Sequence, residues 1–215
     1  ETVKAAIAEQ GKLTEELKKA IDAATTLVEV EDLYAPFKQK RRTRATIAKE
    51  KGLEPLADVL FAQHRDGPVP IEEAAKYIDP EKGVDTAEAA LSGASDILAE
   101  RISDDAAVRA FIKSNGFIES RAATEDDSVY SQYYEFSQRI GRMQGHQTLA
   151  VNRGEKEKLL KVSVVLDKDA ALVVLRRAVF KGPSPSLEFI KAVCEDAYTR
   201  LIFPSLEREI RSELT

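Results

Sequence analysis

One change of rhythm constrains this chain more than anything else in it. Apolar residues recur at spacings of three and four almost throughout, and switch to a spacing of two once, in "LLKVSVVLD" from Leu159 to Asp167. The helical stripes are explicit: Leu17, Ala20, Ile21 and Ala24; Ala87, Ala90, Leu91, Ala94, Ile97 and Leu98; Leu187, Ile190, Cys194, Ala197 and Leu201. Such spacing puts apolar side chains on one face of a helix, whereas Val162, Val164 and Leu166 suit one face of a strand. The expected fold is mainly α, a multi-helix region with one short β-hairpin. The partner strand is expected in "FIESRAAT", near Phe117.

Punctuation residues divide the helices. Thr14 is placed to cap the helix carrying Leu17, and Gly11 reads as the stop of an earlier one. "TLVEVEDLY" should end before Pro36, because the residue preceding proline is pushed out of the helical region. "TIAKEKGLEPLADVLFAQ" reads as two short helices split at Gly52, with Pro55 tolerated in the first turn of the second. Asp85 and Glu88 suggest a capping box, Ser103 a cap for "DDAAVRAFIKSN", and Gly116 its close. Pro204 should kink or restart the last helix. The acidic "TEDDS" reads as a solvated loop. With 215 residues and 43% apolar composition, there is enough to bury a core. The longest aliphatic run, Ala170 to Leu175, is far too short to cross a bilayer, and no signal-peptide pattern opens the sequence. A cytoplasmic protein with no membrane partner is expected. The sequence starts and stops in what read as helices, so it is expected to be a piece of something longer.

Several chemistries lack their residues. Cys194 is the single cysteine and occupies an apolar helical position, which suits a buried thiol. His64 and His146 lie far apart with no cysteine near either, which leaves none of the common zinc spacings and no histidine-based triad. None of the ten glycines forms a G-x-G pair, so no dinucleotide fingerprint or phosphate loop is present. Asp167 and Asp169 read as a turn after a strand, and Glu207 and Glu209 as a charged helical face. No catalytic residue, metal site or cofactor is expected, and no enzyme.

Charge points elsewhere. The chain has a formal net charge of -5, yet "KQKRRTRATIAKEKG" gathers Lys38, Lys40, Arg41, Arg42, Arg44, Lys49 and Lys51 against Glu50 alone. Five of these cations fall within seven residues, and arginine supplies three of them. Arginine's planar fork matches phosphate, and each neutralised phosphate releases counterions, so the density suits a polyanion. A solvated loop pairing with acidic faces explains the same charges. The segment that follows has Ala48 and Gly52 four apart, flanked by Ile47 and Leu53, in the manner of a helix-turn-helix. Lys51 stands where that motif prefers an apolar residue, and "EPLADVL" is a poor base-reading helix.

"EDLYAPFKQKRRTRATIAKEKGLEPLAD", Glu31 to Asp58, resembles the segment of the bacterial Tex family in which a leucine-tyrosine-proline turn precedes a basic run and a glycine-leucine-glutamate-proline helix. "GHQTLAVNRGEKEKLLKVSV", Gly145 to Val164, resembles the family's histidine and arginine-glycine turn leading into a short strand. "AYTRLIFPSLEREIRSEL" resembles the helices before its next domain. Gly145 and Gln147 depart from the family pattern, which often has serine and arginine there.

Tex proteins resemble a eukaryotic transcription elongation factor and are taken to be nucleic-acid-binding transcription accessory proteins. The resemblance implies that this chain is the N-terminal helical region, without the RNase H-like domain, the helix-hairpin-helix modules and the OB-fold. It implies a discontinuous domain of residues 1–36 and 116–215, with a helix-turn-helix-like unit inserted at 37–115. The expected partner is RNA or DNA, bound with low base specificity, and transcription or ribosome-associated machinery is a further candidate. The contact residues would be Lys38, Lys40, Arg41, Arg42, Arg44 and Lys49, with Arg153 and His146 as a secondary contact. Arg153 equally suits a structural role, pairing with Glu155 or Glu157. The alternative function is a helical scaffold or protein-interaction module that positions the missing domains.

Overall fold

Hydroxyl or carboxylate side chains cap several of the helices. Thr14 Oγ1 accepts from the Leu17 amide at 3.2 Å and starts α1, Glu15–Ala23, as its position implied. The computed structural model describes residues 4, 8, 14–24, 33, 42–124 and 129–214. The Gly11 stop, the helix end before Pro36 and most of the acidic run 124–128 lie outside the described residues. The chain divides into two units, 1–42 and 43–215. In the first, α1 buries Ile21, and Lys4 pairs with Asp22.

The second unit is mainly helical and opens with the anticipated pair of helices. Thr43 Oγ1 accepts from the Thr46 amide at 3.1 Å and starts α2, Arg44–Glu50. Gly52, at φ 80°, turns the chain in a left-handed conformation that costs a side-chain-bearing residue energy. α3, Glu54–Ala62, follows with proline in its first turn. Gln63 ends it, also left-handed, and its amide is held far away in sequence: Nε2 donates to Val179 O at 2.9 Å, while Oε1 accepts from the Lys181 amide at 3.3 Å. After the short α4, Pro70–Ala74, the long α5, Ala87–Ser103, forms the spine.

Two cap assignments change. Thr86, and not Asp85, caps α5, its Oγ1 accepting from the Ala89 amide at 3.1 Å. Asp105, and not Ser103, caps α6, Ala106–Ser114, accepting from the Val108 amide at 2.9 Å. Ser103 is instead the last residue of α5, and its hydroxyl donates to Glu100 O. In both places two neighbouring residues could cap, and the one whose neighbours fill the apolar face wins.

The strand expectation holds and is incomplete. β1, Phe117–Ala122, pairs antiparallel with β3, Leu160–Val165, and also with β2, Glu135–Arg139, giving the order β2-β1-β3. Ile118, Ser120 and Val164 are buried on the inner face, where Ser120 Oγ donates to Tyr133 O at 2.7 Å. Between β2 and β3 runs α7, Gly145–Lys156, so the expected arginine-glycine turn is helix. Gly154 sits in it because a Cβ there would fall 2.6 Å from Leu160 Cδ1; helix and strand need that close approach.

The last α-helix restarts beside Pro204, as expected, out of a stretch of wider winding. After α8, Lys168–Val179, the chain runs through α9, Leu187–Asp196, into a π-helical stretch, Ala197–Ile202, and on into α10, Phe203–Glu213. Proline lacks an N–H and its ring clashes with the carbonyl four residues back; widening the preceding turns relieves both. The π-helical residues Ala197, Tyr198 and Ile202 are buried.

Candidate nucleic-acid interface

Lys38, Lys40 and Arg41 lie outside the described residues, while Arg42, Arg44 and Lys49 are exposed. α2 presents Arg44, Ile47 and Lys51 along one side, at helical spacings of three and four. Beside these, Ala45 and Ala48 are buried where α2 packs on α5. The approach is close: a Cβ on Gly93 of α5 would lie 2.3 Å from Leu53 Cδ1 and 3.3 Å from Ala48 Cβ.

Lys51 occupies its unexpected position in the turn for a visible reason. Its Nζ donates to Gly83 O at 2.8 Å, tying the helix-turn-helix turn to a second left-handed turn at Gly83. That second turn closes where Asp79 bridges Val84, and it carries Lys82. Lys82 Nζ lies 4.0 Å from where a Cβ on Gly52 would stand, so a lysine thirty residues downstream joins the basic turn. Sequence reasoning missed Lys82, since nothing local announces a contact made across two loops. Lys82 also pairs with Asp79 at 3.0 Å, and Lys49 Nζ stands 3.7 Å from Glu54.

Between α2 and α5 runs a groove of about 190 Å³. Arg44, Ile47, Lys51, Ala89, Ser92 and Asp96 are among the residues that line it. Asp96 pairs with Arg200 at 2.8 Å, and Arg200 also holds Asp196. Burial raises the proton affinity of Asp96, opposed by the charges of Arg200 and Arg44.

The helix after the turn is not built to read bases. α3 buries Leu56, Ala57 and Leu60 completely. Its Asp58 is bound by Arg101 at 2.8 Å, and Phe61 is flanked by Arg101 and Lys181 at 5.5 and 4.9 Å from the ring centroid. What remains outside is Glu54, Pro55, Asp58 and Val59, which carries no hydrogen-bond donor suited to a groove.

His146 and Arg153 share the exposed side of α7, seven residues and therefore two turns apart, with Leu149 72% exposed between them. Arg153 Nε donates to Glu157 at 2.9 Å, and Tyr130 OH donates to the same carboxylate at 3.0 Å. These two bonds hold the Glu157 carboxyl below its usual range. Gln147 takes a local role, its Oε1 accepting from the Gln144 amide at 3.0 Å at the start of the helix. None of the hydrogen bonds or ion pairs made by His146, Arg153, Arg44 or Lys49 joins the two groups.

Among the described residues no cluster of three or more histidine, cysteine, aspartate or glutamate side chains could hold a metal ion. No helix among them is long and apolar enough to cross a membrane. Cys194 is fully buried, and burial pushes its thiol up to about 11.

The described residues thus form a mainly helical region with a three-stranded antiparallel sheet and a π-helical stretch. A family model described as "Tex central region-like" matches residues 66–215. The chain is 45% identical over 218 residues to the uncharacterized protein YdcI of Bacillus subtilis, covering 97% of this chain and 30% of that protein. It is 37% identical over 171 residues to the transcriptional accessory protein Tex of Neisseria gonorrhoeae, covering 76% of this chain and 22% of that protein. To the human S1 RNA-binding domain-containing protein 1 it is 30% identical over 231 residues, covering 97% of this chain and 23% of that protein. This chain belongs to the Tex family, and it spans less than a third of the length of each of these relatives.

Proposed function

We propose that this chain serves a Tex-like transcription accessory protein of the cytoplasm as a non-enzymatic contact to RNA or DNA, made through phosphates by Lys38, Lys40, Arg41, Arg42, Arg44 and Lys49. The observation that carries the reading is the contrast between the two helices of the turn. α2 keeps Arg44, the last of five cations in seven residues, and Lys49 exposed, while α3 buries its apolar face and presents only Glu54, Pro55, Asp58 and Val59 outside. Phosphate contacts position a nucleic acid without reading its sequence, so the run itself carries no base code. Relatives named for transcription and for RNA binding support the same direction. His146 and Arg153 are a secondary contact in this proposal, and transcription or ribosome-associated machinery is the wider setting. The layout of 1–36 with 116–215 around an insert at 37–115 belongs to the proposal too.

The test is binding of the chain to RNA, duplex DNA and single-stranded DNA across a range of salt concentrations. Affinity that falls steeply with salt and hardly changes with base composition is expected. Binding that is undetectable even at low salt would leave the scaffold reading, which the Lys49–Glu54 pair at 3.7 Å favours by giving one of these cations an internal partner.

A further inference from the structure

We propose that the groove between α2 and α5 receives one unpaired nucleobase and prefers guanine, with Asp96 as the group that reads it. The proposal rests on the phosphate-contact reading above and adds a base to it. Its starting point is an acid with acceptor capacity to spare. Asp96 lines the same groove as Arg44 and Lys51, and its bond from Arg200 uses only one of the carboxylate's several acceptor sites.

A nucleobase supplies donors. Asp96 is held by Arg200 at 2.8 Å, which fixes the carboxylate while Arg44 faces the groove without closing a bridge to it. Opposite charges lining one groove, unpaired with each other, match a ligand edge that carries donors and acceptors side by side. Guanine has two adjacent N–H groups for a carboxylate, at N1 and N2, and a carbonyl at O6 for a cation. Uracil sets a single N–H between two carbonyls that a carboxylate repels, and adenine and cytosine set their amino group beside a ring-nitrogen acceptor. Ile47, 36% exposed, and Ala89 offer apolar sides to the ring faces, and Ser92 a hydroxyl. The groove, about 190 Å³ and open to solvent, gives a single base room to enter edge first. Readout of an extruded or single-stranded base by its Watson–Crick edge is the usual route to sequence preference in RNA.

The experiment titrates the 215-residue chain with an all-uridine RNA oligonucleotide and with the same oligonucleotide carrying isolated guanosines, too sparse to pair or form quartets. Binding of the guanosine oligonucleotide about ten-fold tighter is expected, the lower end of what a good bidentate contact discriminates. Asp96→Asn should lose this preference while uridine binding stays level or tightens. Because that change also removes a partner of Arg200, a second variant, Ser92→Phe, fills the groove from an exposed position and leaves the Asp96–Arg200 pair intact; it too should lose the preference. Equal binding of both oligonucleotides by the wild type overturns the base site and leaves the phosphate contact standing. So does an Asp96→Asn variant that binds both more tightly by the same factor with its preference kept. Absence of salt-dependent binding to either oligonucleotide overturns both readings.

Discussion

Gly93→Ala should destabilise this protein, against the ordinary expectation for an exposed stretch of helix. Replacing a glycine inside a helix by alanine normally stabilises by about 1 kcal/mol. Here the new methyl would lie 2.3 Å from Leu53 Cδ1 and 3.3 Å from Ala48 Cβ. Contacts between carbons are optimal at about 3.5–4.0 Å, so Leu53 or the whole of α2 must move by more than an ångström. Leu53 is only 1% exposed, so either movement gives up buried packing. Overpacking of this kind costs about 1–3 kcal/mol, which outweighs the propensity gain and leaves a net loss of about 0–2 kcal/mol. Urea unfolding followed by circular dichroism, on wild type, Gly93→Ala, Leu53→Ala and the double variant, measures it. Leu53→Ala alone should cost about 2–5 kcal/mol through its cavity. In that background the obstructing Cδ1 is gone, so Gly93→Ala should become neutral or stabilising, a coupling of about 1–2 kcal/mol between neighbours. A Gly93→Ala midpoint above wild type, with no coupling to Leu53, would refute the close-packing account of the α2–α5 crossing.

Three further outcomes are expected. Replacing Lys40, Arg41, Arg42 and Arg44 by alanine should weaken nucleic-acid binding by the same factor for every sequence, and flatten the slope of log affinity against log salt by about 3–4 on duplex; an unchanged slope with an unchanged melt would make the run a solvated loop. Cys194, with its thiol raised to about 11 by burial, should resist thiol reagents until the protein unfolds. The unfolded thiol ionises first, so the chain should lose stability as pH climbs from about 9 towards 11, a loss that Cys194→Ala removes. Glu209 is held below the ordinary glutamate range, first by its bond from Lys113, so its contribution is full above the unfolded value near 4.5 and fades as pH falls; acid titrations of stability should lose that component in Lys113→Ala.

The sequence made the helical class, the turn at Gly52 and the single β-branched strand legible because each is a local signal. Periodicity is a property of neighbours, and Ala90, Ala94, Ile97 and Ile190 are buried where their stripes put them. β2 escaped notice for a local reason too: "EFSQR" alternates between exposed and half-buried, with a single large apolar residue, and it is a strand because β1 offers it an edge. The arginine-glycine pair of α7 misled because glycine often signals a turn; Gly154 is there to let Leu160 in. At the candidate interface the basic run was legible from composition, whereas Lys82, Asp96 and Ser92 reach it only through packing.

The placement of charge gives the interface its separability from the fold. Cations on the helices of the second unit pair with particular acids: Arg109 and Lys113 with Glu209, Lys168 with Glu195, Arg200 with Asp96 and Asp196, and Arg211 with Glu155. Those of Arg109, Lys113 and Arg200 have side chains about a quarter exposed and join elements about a hundred residues apart, α6 to α10 and α5 to the π-helical bend. Half-exposed pairs of this kind are worth little in free energy, on the order of 0–1 kcal/mol each. Their consequence is registry, since an unpaired partner left half-buried costs more than the pair returns. Arg44 stands outside that pattern: it is exposed, lies on the first turn of its helix where a positive side chain opposes the helix dipole, and closes no ion pair with Asp96 across the groove. An exposed cation that closes no such ion pair is available to an external anion, and its removal should therefore register in binding before it registers in stability.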